Sequence, residues 1–246
     1  MRLPSHMLAP MLASALAATS AHAVIVLGNG DSVNLGALFA AGSDRTVIID
    51  DKIFQFESFT SSAFDRSLFN VVGFVSATPN AFGLYNVGFD LIGPFGDGTP
   101  GNGLAHEMNL QYTVAVTPEA FAREVRLCDT GLVFNGSASG PGSYARVDET
   151  VLDLDTNTFL GQLSAFDHAG LFSQLSDHKD FCQIFGNVHG WRAFEVNKDI
   201  KFFAATEQGV ATASFIRQEF SQVLAPSPGA VALVALAGAV VRRRQG

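Results

Sequence analysis

Asp153, Asp155 and Asn157 stand at the D-x-D-x-N spacing that opens a calcium-binding EF-hand loop. The match ends there. The sixth position is Thr158, where the sharp turn of such a loop needs Gly, and the twelfth is Ser164 rather than a bidentate Glu. The stretch therefore reads as two strand ends around a polar turn at Asp155–Thr158. Asp50 and Asp51 form a second acidic pair, suited either to a cation or to a solvated turn. His106, His168, His178 and His189 lie in turn-like surroundings and form no HxH or HExxH pair, so no metal site is expected. Asp177–Asp180, "DHKD", reads as a charged turn. A serine nucleophile needs the G-x-S-x-G elbow, but "GSASG" at Gly136–Gly140 puts Ala138 where the serine must be and reads as a flexible turn. Neither a phosphate loop nor a dinucleotide fingerprint is present, because "LGNGD" is not followed by helical sequence. No catalytic residue and no cofactor is assigned.

The elements that must position these residues are short and extended. Twenty-four Gly divide a sequence holding 22 Phe and a single Trp. In "HEMNLQYTVAVT", Met108, Leu110, Tyr112, Val114 and Val116 alternate with Asn109, Gln111, Thr113 and Ala115, the period of a half-buried strand. "TVIID", "KIFQFESF", "SLFNVVGFVS", "LYNVGFDLI", "SYARVDETVLDL", "RAFEVNKDIKFFA" and "VATASFIRQEF" repeat the pattern more weakly between turn-rich stretches. A helical turn is expected only near Pro118-Glu119. Strands without intervening amphipathic helices predict an all-β fold, an antiparallel β-sandwich of jelly-roll or immunoglobulin-like type. Trp191 reads as core in preference to a sugar-stacking ring.

Charge narrows the partners. With 15 Lys and Arg against 23 Asp and Glu, the chain carries −8 and would repel a phosphate backbone, so nucleic acid is not expected. Cys128 and Cys182 are the two cysteines, and in an exported chain an even count reads as a disulfide, the alternative being two separate buried thiols.

Both ends read as addresses. Residues 1–23 have the order of a secretory signal peptide: one Arg, an apolar run, then Ala21-His22-Ala23 as a small-x-small cleavage site that leaves Val24 as the mature N-terminus. Residues 24–224 make a single domain. Residues 225–246, "APSPGAVALVALAGAVVRRRQG", place Pro226 and Pro228 before an apolar run that closes on Arg242, Arg243 and Arg244. As a hydrophobic helix, Gly229–Val241 measures about 20 Å against a hydrocarbon core of ~30 Å, and the arginines set its end on the cytoplasmic side.

That tripartite tail resembles the PEP-CTERM sorting signal. The matching positions are Pro226, Pro228 and Gly229, the Ala/Val/Leu/Gly segment and the arginine cluster, with Ser227 where the family name has Glu. "DDKIFQF" is also similar to the "GDK-x-F" opening of β-rich PEP-CTERM proteins. The resemblance implies export to the cell surface or extracellular matrix of a Gram-negative bacterium, a transient membrane anchor, and an exosortase-type membrane transpeptidase as processing partner. An ordinary single-pass anchor gives the same topology and differs in whether the tail is cut. The expected function is that of a non-enzymatic surface or matrix protein associated with exopolysaccharide. The alternatives are a secreted carbohydrate-active hydrolase using Asp50, Asp51, Asp153 or Asp155, and a cation-dependent carbohydrate-binding module.

Overall fold

The structure is a computed structural model and describes residues 24–225. The signal peptide with Ala21 and Ala23, and the tail from Pro226 through Ser227, Pro228, Gly229 and the apolar run to Arg242, Arg243 and Arg244, lie outside the described residues.

In chain order the elements are β1 (Ile25–Leu27), β2 (Ser32–Asn34), α1 (Leu35–Leu38), β3 (Thr46–Ile49), β4 (Lys52–Ser61), β5 (Asn70–Val75), β6 (Val87–Gly96), β7 (His106–Val116), α2 (Pro118–Ala122), β8 (Val125–Leu127), β9 (Asp129–Phe134), β10 (Ser137–Ser139), β11 (Tyr144–Asp153), β12 (Thr158–His168), β13 (Phe172–Gln174), β14 (Ser176–Asp180), α3 (Phe181–Phe185), β15 (Ala193–Phe203), β16 (Val210–Phe220) and β17 (Gln222–Leu224). A larger, eight-stranded sheet runs β1-β3-β4-β7-β15-β11-β12-β13. A smaller sheet runs β14-β9-β16-β6-β5-β2, with β10 also paired to β16, and β17 pairs with β8 separately. Pairing is antiparallel except between β1 and β3, which run parallel. This is the expected mostly-β, antiparallel sandwich.

Alternation builds the core. Met108, Leu110, Tyr112, Val114 and Val116 on β7 all point inward, as their period of two predicts, and meet Phe54, Phe56, Phe89, Phe134, Phe194, Phe202 and Phe220 between the sheets. Large rings meet there edge to face, as Phe54 does on Phe89 with centroids 5.4 Å apart. The helical turn expected at Pro118-Glu119 is α2, where Thr117 caps the end through Oγ1 and Pro118 takes a position that needs no donor. The Asp50-Asp51 pair is the tip of the β3–β4 hairpin, with Asp50 left-handed at φ 50.

Three local readings need correction. "DHKD" belongs to β14, paired along β9 from Ser176↔Val133 to Asp180↔Asp129. It looked like a turn because it is an edge strand with little apolar surface to alternate. "GSASG" supplies β10, a short strand on β16. Of the four body histidines, His106, His168 and His178 lie on strands rather than in turns.

Candidate functional site

The outward face of the larger sheet is polar because its strands spend their apolar residues on the other side. On β7, β15 and β11 the inward residues are nearly all buried, while Asn109 stands outward and exposed, and Gln111 and Thr113, Glu195, Asn197, Asp199 and Lys201, and Arg146, Asp148 and Thr150 stand outward and half-buried. A bulge in β4 between Phe56 and Ser58 turns Ser58 and Thr60 to this face.

Register sorts these side chains into rows across the strands. One row reads Thr60, Asn109, Asp199, Asp148, Ser164; the next reads Ser58, Gln111, Asn197, Thr150, Gln162. Asn109, Asp199 and Asp148 of the first row and all five residues of the second line a hollow of about 290 Å³. Asp148 and Asp199 are direct cross-strand partners. Two like charges so placed repel, and each is compensated by a cation from the adjoining row. Arg146 Nη2 donates to Asp148 Oδ1 at 2.8 Å, and Ser164 Oγ donates to the same oxygen at 2.8 Å. Lys201 Nζ lies 2.9 Å from Asp199 Oδ2 and 3.6 Å from Glu107. The hydrogen bond to Asp199 holds the Lys201 ammonium above the usual lysine range.

Part of the hollow has no internal partner. Asp199 Oδ1 is covered and accepts no hydrogen bond. Gln111 and Asn197 both donate to Glu195 Oε1, at 2.8 and 3.0 Å. The side chains of Asn109, Thr150 and Gln162 make no hydrogen bond among the described residues.

One end of the same face is aromatic. Phe203, Tyr144, His168 and Phe172 form a row on β15, β11, β12 and β13, again by direct register. Phe166 stands edge-on to both His168 and Phe172.

The residues singled out in the sequence do not converge here. Asp51 Oδ1 holds Lys52 Nζ at 2.5 Å, and this fully buried ammonium also donates to Gln222 Oε1. Burial drives Lys52 below the ordinary lysine range, against the pull of Asp51. Asp153 and Asp155 sit at the β11–β12 hairpin, where Asp153 accepts from Asp155 N at 3.1 Å and from Thr156 Oγ1 at 2.5 Å. Its oxygens organise the turn. Cys128 and Cys182 are disulfide-bonded, with Cα atoms 5.2 Å apart. Asp180 lies against them, but sulfurs bonded to each other offer no thiolate to a metal. Trp191 packs on the core, edge-on to Phe181 and Phe185.

The outward face of the smaller sheet holds a second polar group. Glu219 lies across from Gly131 on β9, which pairs in turn with His178 on β14. Burial is the main cause that raises the Glu219 carboxyl above its usual range. His178 Nε2 lies 3.2 Å from Asp129 Oδ2, and Ser221 Oγ donates to that same oxygen. Serine and histidine both bond the aspartate and not each other, so this is not a nucleophile–base relay.

No protein-family model matches the sequence and no curated protein is similar to it. Among solved structures, a DUF4465 family protein from Bacteroides caccae is 8% identical with a TM-score of 0.27, covering 77% of this chain and 92% of that one. A cellulase derived from Cel12A of Rhodothermus marinus is 9% identical with a TM-score of 0.24, covering 70% and 99%. The family 11 xylanase from Neocallimastix patriciarum is 6% identical with a TM-score of 0.24, covering 78% and 98%. At such scores none of these likenesses bears on what the chain does.

Proposed function

We propose that the chain is an exported, non-enzymatic binding protein of a Gram-negative cell surface or matrix, and that it holds extracellular polysaccharide on the outward face of the larger sheet. One observation carries the reading: the hydrogen-bonding capacity left unspent in the hollow. Asn109 and Gln162, both exposed, and the half-buried Thr150 line it with no side-chain hydrogen bond among the described residues. Amides and hydroxyls open to the hollow and without a protein partner can exchange water for the hydroxyls of a ligand. Sugar hydroxyls donate and accept at closely spaced points, which suits a wall of amides, hydroxyls and carboxylates.

The carboxylate pair supports binding over hydrolysis. A glycosidase needs one carboxyl to hand over a proton while the other attacks or activates water. Asp148 is engaged by Arg146 and Ser164, and Asp199 by Lys201. Both serve as fixed acceptors. We read the sandwich as the jelly-roll variety, because a larger sheet of eight strands exceeds either sheet of an immunoglobulin domain. The signal-peptide order of residues 1–23 and the PEP-CTERM-like tail support export, anchoring and processing by an exosortase-type transpeptidase.

Retention of the purified exported protein by the extracellular polysaccharide of its own cells tests this. Asn109→Ala with Gln162→Ala should weaken retention about tenfold, the worth of one or two hydrogen bonds. Unchanged retention would overturn the assignment of the face. Reducing ends released by the native protein and lost in Asp148→Asn would replace binding by hydrolysis.

A further inference from the structure

Phe172 has one ring face covered and the other open. Within the aromatic row, Tyr144 and His168 are stacked with centroids 5.6 Å apart and planes 23° off parallel. His168 and Phe172 follow at 5.4 Å and 11°. His168 is thus covered on both faces. β13 is the last strand of its sheet, so no strand stands beyond Phe172. Phe172 is 60% exposed and Leu171 before it 75%. Phe166, edge-on to Phe172 at 5.3 Å and 89°, fixes how that open face is presented. A ring held this way loses little freedom when something packs on it.

The row continues into the hollow. Tyr144, Arg146, Asp148 and Thr150 are successive outward residues of β11, which puts the aromatic row about 13 Å along the strands from the Asp148 row. The charges between select against an acidic ligand. Among the outward residues of β7, β11 and β15 the basic side chains are Arg146 and Lys201, and both are already paired, with Asp148 and with Asp199 and Glu107. With Glu195 also present, acids outnumber bases, and an incoming carboxylate or sulfate would meet repulsion and no unengaged cation.

Resting on the polysaccharide reading above, we infer that this face takes a neutral glycan. One sugar ring packs its C–H face on the open side of Phe172, while a unit further along the chain gives its hydroxyls to Asn109, Thr150 and Gln162. The aromatic end supplies dispersion and apolar burial, and the hollow supplies direction.

Affinity electrophoresis of the exported protein tests this in gels carrying a neutral panel of galactomannan, hydroxyethylcellulose, arabinoxylan and mixed-linkage glucan, or carrying alginate as the anionic probe. At least one neutral polymer should retard the protein and alginate should not. Phe172→Ala should weaken the retarding interaction about tenfold, and Phe172→Trp should restore it, with the melting temperature unchanged in both. Equal retardation of native protein and Phe172→Ala would overturn the stacking role and leave the polysaccharide reading standing. Preference for alginate would overturn the neutral class. Binding to none of the polymers would overturn the neutral-glycan inference, and the polysaccharide reading falls only if retention by the polysaccharide of its own cells is lost as well.

Discussion

Glu149 and Lys198 face each other across β11 and β15 with Oε2 and Nζ 2.5 Å apart, fully buried among the phenylalanines. The smaller sheet completes the cluster. Lys198 also donates to Gln218 Oε1 at 2.7 Å, and Gln218 Nε2 donates to Thr130 Oγ1 at 2.5 Å and to Glu149 Oε1 at 3.0 Å. Desolvation is what makes the cluster costly, and it is tolerable only because nearly every charge and lone pair is met. Tyr112 is the exception nearby. Its hydroxyl is buried without a partner, and burial, with Glu149 adding to it, raises it well above the ordinary tyrosine range.

Removing one member should expose that cost. Lys198→Met leaves Glu149 uncompensated and should destabilise by about 3–5 kcal/mol, whereas Lys198→Met combined with Glu149→Leu should recover most of the loss. Urea unfolding of the two variants against the native protein measures the difference. A double variant no more stable than the single one would mean the pair is stabilising in itself.

Glu219 gives a pH dependence of defined sign. Its folded carboxyl is raised above the ordinary 4.5, mainly by burial, so the folded chain binds the proton more tightly than the unfolded one. Stability from this group is full below the unfolded value and is lost as pH rises through the folded value. Glu219→Gln should therefore raise the melting temperature at neutral pH and leave it nearly unchanged near pH 4.5. A gain of equal size at both pH values would point to packing instead of ionisation.

The bridge between Cys128 and Cys182 closes 54 residues of chain. In the chain-entropy model, opening it by replacing both with Ala costs about 4 kcal/mol. Thiol labelling of denatured, unreduced native protein should find no free sulfhydryl. Thermal unfolding of the double variant reads the energetic loss.

Sorting makes two linked predictions. Mass spectrometry of exported protein should find Val24 at the N-terminus, following the Ala21-His22-Ala23 site. The described fold closes with the Ala225 N–H donating to the Glu124 carbonyl at 2.8 Å, just before Pro226. Deletion of 226–246 should then leave a folded chain that is released from the envelope. An unfolded product would place the apolar run in the core.

The sandwich was legible where one face of a strand is apolar and the other is not. β7 is the clearest case, and from its wet side Asn109 and Gln111 form one wall of the hollow. The hollow itself was not legible, because its walls come from β4, β7, β15, β11 and β12, and register between distant strands leaves no mark on spacing within any one of them. The internal cluster did leave a trace. Glu149 falls on the parity of Ala145, Val147 and Val151, and Lys198 on that of Val196, Ile200 and Phe202, so a strict count by twos puts both charges inside. Edge strands such as β14 fail the same count because they have no apolar face to count.

Those edges bear on how the protein behaves when crowded. The margins of the larger sheet are β1 and β13, three residues each, and those of the smaller are β14 and β2, of five and three. An unpaired strand edge invites ladder-wise growth from one molecule to the next, and margins of three to five residues, one of them the charged Ser176–Asp180, deny it the length to take hold. Molecules built this way can therefore be packed densely without fusing into fibres through their sheet margins.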